Sequence, residues 1–307
     1  MEKTIIDLEN LAQDLKWSLA GVTSPEISET TQSQYQEWLE KYSGQRLGYM
    51  QKRKVERLNP KEYFPGVKSI LCFGLNYFPG WAEGEVKISN YSWGEDYHEQ
   101  LKRKISETVS YLEHRLGEFS YRICVDTSPV LEKILAAQSG IGWQGKNTLI
   151  LNQKFGSMIF LGELFTSIEL DRFKSLSLAK DRCGNCTKCL DACPTQALDP
   201  YVLKVDKCIA YWNLEHRGPL PTDAPKFEGW LGGCDICQQV CPWNHKLEPQ
   251  FEAPISLKQI SAIDAKAPDF ANRLQSQLLE NKAMNYLPLE KWKINLAHLQ
   301  ADKEHLA

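Results

Sequence analysis

Residues 183–194 read CGNCTKCLDACP and residues 234–242 read CDICQQVCP, with Cys208 between them. Cysteines at intervals of three, then one four residues on with a proline behind it, give the spacing of bacterial ferredoxins that hold two cubane iron-sulfur clusters. In that pattern the fourth cysteine of each run ligates the other cluster. This assigns Cys183, Cys186, Cys189 and Cys241 to one cube, and Cys193, Cys208, Cys234 and Cys237 to the second. Sulfurs three residues apart in a tight loop turn toward one small centre, and Pro194 and Pro242 stop each loop and redirect the chain. Such a chain passes single electrons.

Structural zinc also uses Cys-x-x-Cys, but as two pairs of thiolates rather than three thiolates in one short loop. A disulfide framework belongs to oxidising compartments, and the opening MEKTIIDLENLAQDLKW is acidic and amphipathic with no apolar export region. No stretch is long enough to span a bilayer. The expectation is a soluble, cytoplasmic protein without a membrane partner. Cys72 and Cys124 lie in apolar runs and read as buried strand residues.

With 307 residues, 42% of them hydrophobic and 24% charged, the chain can bury a substantial core and a small second domain. A net charge of -3 gives no global pull toward nucleic acid, so an RNA partner would need a local basic surface. Two stretches offer one: RLGYMQKRKVER from Arg46 to Arg57, and Lys102-Arg103-Lys104 on an expected helix. Either also reads as a solvated helix face.

Helical periodicity covers residues 3–20 and 33–43, and the charged stretch 96–116 is a further helix. Ser69 to Asn76 and Tyr121 to Val125 read as strands, Pro129 to Gln138 as a helix, and Thr148 to Asn152 and Met158 to Leu164 as strands. This mixture predicts an α+β fold. The expected organisation is a catalytic domain over residues 1–170, a ferredoxin-like module over 171–250 and a helical tail over 251–307.

Two local motifs weaken on inspection. Residues 140–145 match the dinucleotide fingerprint G-x-G-x-x-G, and 140–146 nearly match a phosphate loop, but both need a strand before the glycines and a helix after. Here the order is inverted, which favours a turn that lets backbone approach a neighbouring strand or a large flat ligand. Asp126 ends the strand YRICV, with Ser128 suited to cap the next helix and Pro129 to its first position. It can serve the helix dipole or act as a proton donor, and donation at neutral pH requires apolar surroundings or a nearby negative charge.

Five stretches resemble the epoxyqueuosine reductase family when taken together: VDTSPVLEKILAAQSGIGWQGKNTLILN, GSMIFLGELF, CGNCTKCLDACPTQAL, CIAYWNLEHRGPLP and GCDICQQVCPWN. The resemblance runs from about Arg46 to His245, and the insertion of residues 209–233 after Cys208 sets it apart from ordinary ferredoxins. It implies a cobalamin-dependent enzyme with a nitroreductase-like cobalamin-binding domain, a ferredoxin-like domain with two [4Fe-4S] clusters, and a corrin bound base-off. The implied reaction reduces epoxyqueuosine to queuosine at the wobble position of tRNA. The implied partners are a tRNA carrying epoxyqueuosine in its anticodon loop and an external low-potential electron donor, with the chain a monomer.

By the same resemblance Asp126, in VDTSPVLEK, is the general acid for the departing oxygen and lies at the cofactor. Tyr97 and His98 match a DYH segment lining the active site, and Arg57, Lys146, Asn147, Thr148 and Glu215 are further corrin-side or substrate-side candidates. His98 also reads as a polar surface residue. Histidine-ligated cobalamin proteins use Asp-x-His-x-x-Gly, whereas Asp96-Tyr97-His98 is followed by Glu99, Gln100 and Leu101. The missing glycine agrees with a corrin lacking a histidine ligand. A reductive dehalogenase shares this chemistry but usually carries a twin-arginine export signal, and a plain electron carrier has no use for cobalamin.

Anaerobically purified protein is expected to contain iron and acid-labile sulfide in the amounts of two cubanes. Stoichiometric zinc in elemental analysis would instead mean structural zinc fingers.

Overall fold

Leu19–Thr23 (β1), Ser69–Asn76 (β2), Tyr121–Cys124 (β3) and Ile159–Thr166 (β4) form an antiparallel sheet in the order β1-β2-β4-β3. The computed structural model describes residues 4–45, 47–251 and 267–304. Arg46 and much of the start of the expected tail therefore lie outside the described residues. The contacts divide the chain into two units: Met1–Asn76, His98–Gly145 and Leu149–Gly184 in one, Tyr77–Tyr97, Lys146–Thr148 and Asn185–Ala307 in the other.

β2 is apolar along most of its length because both faces of this sheet are covered, so the usual in-out alternation disappears. On one face Phe73 stacks on Trp17 at 4.6 Å, and the Trp17 indole donates to Thr108 Oγ1 at 3.0 Å on the long helix Tyr97–Leu116. Leu101, Ile105 and Leu112 turn the buried stripe of that helix inward. The other face packs Ile70, Cys72, Cys124 and Phe165 against Leu135 and Ala136 of the helix Glu132–Gln138. Each fully buried aliphatic side chain here contributes about 1.5–3 kcal/mol.

Several expectations shift. Among the described residues of the stretch 3–20 the helix covers Leu8–Asp14, capped by Asp7 accepting from the amides of Glu9 and Asn10. Lys16 then turns at φ 55, and the chain enters β1. The expected helix from Pro129 begins instead at Glu132, with no side-chain cap. Arg57 is the physical reason: its Nη1 donates to the carbonyls of Ser128 at 3.4 Å and Val130 at 3.3 Å, which holds that segment out of the helix. The glycine-rich segment serves close backbone approach, since a Cβ on Gly142 would overlap the Leu151 carbonyl oxygen.

The second unit has its own core of Trp93, Trp230, Trp292, Phe227, Phe270 and Met284. Asn213 ties its chain together. The Asn213 Nδ2 donates to the carbonyls of Trp230 at 3.0 Å and Gly233 at 2.9 Å, and its Oδ1 accepts the Gly233 amide at 2.9 Å. Asn295, on the tail helix Leu289–Glu304, donates in turn to the carbonyls of Asn213 at 2.8 Å and Leu231 at 3.0 Å. No helix among the described residues is long and apolar enough to cross a membrane.

Gly142→Ala is expected to lower unfolding free energy by about 1–3 kcal/mol, read from denaturant midpoints, because backbone rather than a flexible side chain would have to move. Gly44→Ala, with open space around its Cα, serves as the neutral control.

Candidate functional site

Within the first unit, β3 ends at Cys124 and the chain turns at Asp126 with φ 52, a left-handed conformation that costs a non-glycine residue on the order of 1 kcal/mol. The turn is held from three sides. The Asp126 amide donates to Glu132 Oε1 at 2.7 Å, the Asp126 carboxylate meets His98 Nε2 at 3.3 Å through Oδ2, and Arg57 clamps the carbonyls two and four residues on. The Asp126 side chain is 49% exposed and that of His98 23%, so the pair sits at an accessible surface. Arg57 is itself buried and also donates to the Tyr49 carbonyl at 3.5 Å. Its contacts support the loop carrying Asp126.

Sequence reasoning missed two acids beneath this turn. Burial pushes Glu132 up to about 7, helped by the charge of Asp126 and opposed by the Asp126 amide, Lys133 and Arg57. Glu163, at 0% exposed in the middle of β4, is pushed well above the carboxylate range by burial and then by the charge of Glu132. The signal was a lone glutamate inside GSMIFLGELF, an apolar run whose neighbours on both sides are buried.

Tyr97, Lys146, Asn147, Thr148 and Glu215 belong to the second unit. Tyr97 lies edge-on to Tyr91 with ring centroids 6.4 Å apart, and Glu215 ends the helical segment Tyr211–Glu215. Lys146 donates to the Cys186 carbonyl at 3.0 Å, which ties the GKNT turn to the first cysteine loop. Asn147 is buried and Thr148 has φ 66.

Cys183 lies near the end of the first unit, and the other six cysteines of the two runs lie with Cys208 in the second. Short helices Lys188–Asp191 and Ile236–Gln239, carrying Cys189 and Cys237, pack against each other and bring the two runs together. Cys234 feels the charges of Cys208 and Cys193, and Cys237 those of Cys234, Cys208 and Cys189. Burial pushes both thiols far up, so as free groups they stay protonated; a bound iron would supply the compensating charge. The Ala197 amide donates to Cys193 Sγ at 3.3 Å, the kind of contact that tunes a cluster's potential. This donor set fits iron-sulfur clusters.

Asp235, between Cys234 and Cys237, was also unread in the sequence. It accepts from the Ser89 hydroxyl and from the Asn90 amide at 2.9 Å, and so fastens the second loop to residues 89–90. Burial raises this carboxyl to about 6 against those hydrogen bonds.

The basic surface is smaller than its sequence. Lys104 gives its ammonium to the Leu15 carbonyl at 2.8 Å and lies over the Trp17 ring, whereas Lys102 and Arg103 are exposed.

Two family models match the chain: Epoxyqueuosine reductase QueG, DUF1730 over residues 57–127, and a 4Fe-4S double cluster binding domain over residues 182–244. An epoxyqueuosine reductase of Leadbetterella byssophila is 33% identical over 301 residues, spanning 96% of this chain and 97% of that protein. One from Synechocystis sp. is 40% identical over 235 residues, 74% of this chain and 79% of its own length. The solved epoxyqueuosine reductase of Streptococcus thermophilus superposes with a TM-score of 0.82 at 24% identity, covering 96% of this chain and 80% of that one. An epoxyqueuosine reductase crystallised with an epoxyqueuosine-modified tRNA-Tyr stem loop gives 0.80 at 25% identity, over 95% and 80%. With its α+β sheet unit, its double 4Fe-4S domain and relatives of this identity along nearly its full length, the chain belongs to the epoxyqueuosine reductase family of oxidoreductases.

Proposed function

We propose that this protein reduces epoxyqueuosine to queuosine at the wobble position of tRNA, with Asp126 giving a proton to the departing oxygen. Asp126 carries the reading: a carboxyl held in a strained turn, paired with His98 at 3.3 Å and half open to solvent, is placed to meet a substrate. The tRNA stem loop bound by a relative supports the substrate, and a tRNA substrate supports a cytoplasmic location.

Residues 1–170 form the catalytic part in this reading, residues 171–250 the electron-transfer part and residues 251–307 a tail. Cys183, Cys186, Cys189 and Cys241 hold one [4Fe-4S] cluster, and Cys193, Cys208, Cys234 and Cys237 the other. Bound cobalamin would supply the electron pair for the reduction, and the two clusters would relay single electrons from an external low-potential donor. The engagement of His98 Nε2 with Asp126 fits a corrin held without a histidine ligand, since that nitrogen already serves the carboxylate. Tyr97, Lys146, Asn147, Thr148 and Glu215 are proposed corrin or substrate contacts, and Arg57 acts through the loop it clamps.

His98 orients the Asp126 carboxyl, and the Glu132 contact fixes the backbone behind it, so that the proton is presented from one place. Lys102 and Arg103 neutralise phosphates of the bound stem, and the monomer binds with an affinity that falls as salt rises.

Anaerobic incubation with cobalamin, a low-potential reductant and epoxyqueuosine-containing tRNA is expected to yield queuosine by nucleoside mass spectrometry. Absence of queuosine from protein with full iron content would refute the reading. Asp126→Asn is expected to retain corrin and tRNA but turn over about 10²–10⁴-fold more slowly.

A further inference from the structure

The strand register sets Gly21, Cys72, Glu163 and Cys124 side by side across the sheet, on the face covered by the helix Glu132–Gln138. Among the described residues neither oxygen of Glu163 has a hydrogen-bond partner, although the residue is 0% exposed. A carboxyl in such a place stabilises nothing: it loses its hydration and receives no hydrogen bond in return, so a leucine would serve the fold better. The charged form is the more costly one, and Glu163 therefore carries a proton at neutral pH.

The groups facing Glu163 are Cys72 and Cys124 from the neighbouring strands and Glu132 from the covering helix. Both thiols are driven up by burial and stay neutral, and among the described residues Glu132 is the carboxyl whose charge acts on Glu163. Glu132 in turn is influenced by Asp126, Lys133 and Arg57, with His98 beyond Asp126. Three carboxyls thus run in series from the sheet interior to the accessible turn, and the Glu132 oxygen rests on the Asp126 amide itself.

Removing an epoxide oxygen as water breaks both C–O bonds, forms a C=C bond, and takes up two electrons and two protons. The low-potential donor supplies the electrons, but Asp126 holds only one proton. We propose that Glu132 and Glu163 are a proton-holding carboxyl pair that supplies the second proton of the reduction through Asp126, with Glu132 also fixing the turn that presents it. After the first transfer Asp126 is a carboxylate; the pair passes one proton to it, and the far more basic leaving oxygen draws that proton on. The pair is left anionic and refills from solvent between turnovers. This inference rests on the reading of Asp126 as the acid.

Two near-isosteric variants test it in the anaerobic holoenzyme. Wild type is expected to show the infrared carbonyl stretch of protonated carboxylic acids at neutral pH, shifted in D₂O, with a component that is retained in Asp126→Asn and lost in Glu163→Gln. Glu132→Gln keeps an oxygen to accept the Asp126 amide and so preserves the turn. Single-turnover reduction is nevertheless expected to slow by about 10²-fold in each glutamine variant. The wild-type rate is expected to fall as pH rises through about 7, where Glu132 gives up its proton, and Glu132→Gln to lose that limb. If wild type lacks the infrared band, or both variants turn over at the full rate across pH, the pair holds no functional proton and the inference is overturned. Should Glu163→Gln fail to fold, the Glu132→Gln profile decides. A wild type that forms no queuosine would instead sink the reading of Asp126, while the infrared band still reports on the pair.

Discussion

Partly buried thiols that cannot ionise alone govern the second unit. Burial pushes the thiols of Cys234 and Cys237 far up, and a metal bound to them would supply the opposing positive charge. What the polypeptide supplies beforehand is geometry. The packing of Lys188–Asp191 on Ile236–Gln239 sets the two runs against each other, and the Asn213 amide fastens the return of the inserted stretch next to Gly233, one residue before Cys234. Asn295 extends that fastening to the tail helix, and Lys291, pushed down to about 8 by burial, gives its ammonium to the Trp212 carbonyl at 2.6 Å. The inserted residues are thus ordered by neutral amides as well as by whatever the cysteines bind.

The sheet was legible where apolar content alone decided it. Ser69–Asn76 was read to the residue, since a strand buried on both faces leaves a continuous apolar run, and Cys72 and Cys124 are buried in strands as read. The cysteine runs were legible because metal chemistry imposes short fixed spacings. The start of the helix after Asp126 was not. Ser128 and Pro129 are good helix openers locally, but Arg57, some seventy residues upstream, takes the carbonyls that a helix would have used. The amphipathic opening failed in the same way: a turn at Lys16 and a place at the sheet edge outweighed helical periodicity.

The acids of the site show a second limit. Asp126 was visible through resemblance and through its position after a strand. Glu132 looked like an ordinary first-turn acid favoured by the helix dipole, yet its carboxyl reaches back six residues to an amide outside the helix. Glu163 looked like one letter in an apolar run. Sequence spacing can place a residue on a face; it cannot say that three acids from a loop, a helix and a strand converge.

That convergence settles which physical effect rules the turn. A carboxylate near a helix start is ordinarily held ionised by backbone dipoles, an effect of about 0.3–1 kcal/mol at an exposed site. Here the helix begins six residues after Asp126, too far for that influence, which falls off within the first turn. Burial acts instead on the two acids behind it, with the charge of Asp126 adding to the proton affinity of Glu132 and that of Glu132 to the proton affinity of Glu163. One unit of pKa corresponds to about 1.4 kcal/mol, so a displacement of Glu132 to about 7 already exceeds what an exposed helix terminus could oppose. The strained backbone at Asp126 belongs to the same arrangement: in this left-handed turn its amide faces Glu132 while its carboxyl faces His98.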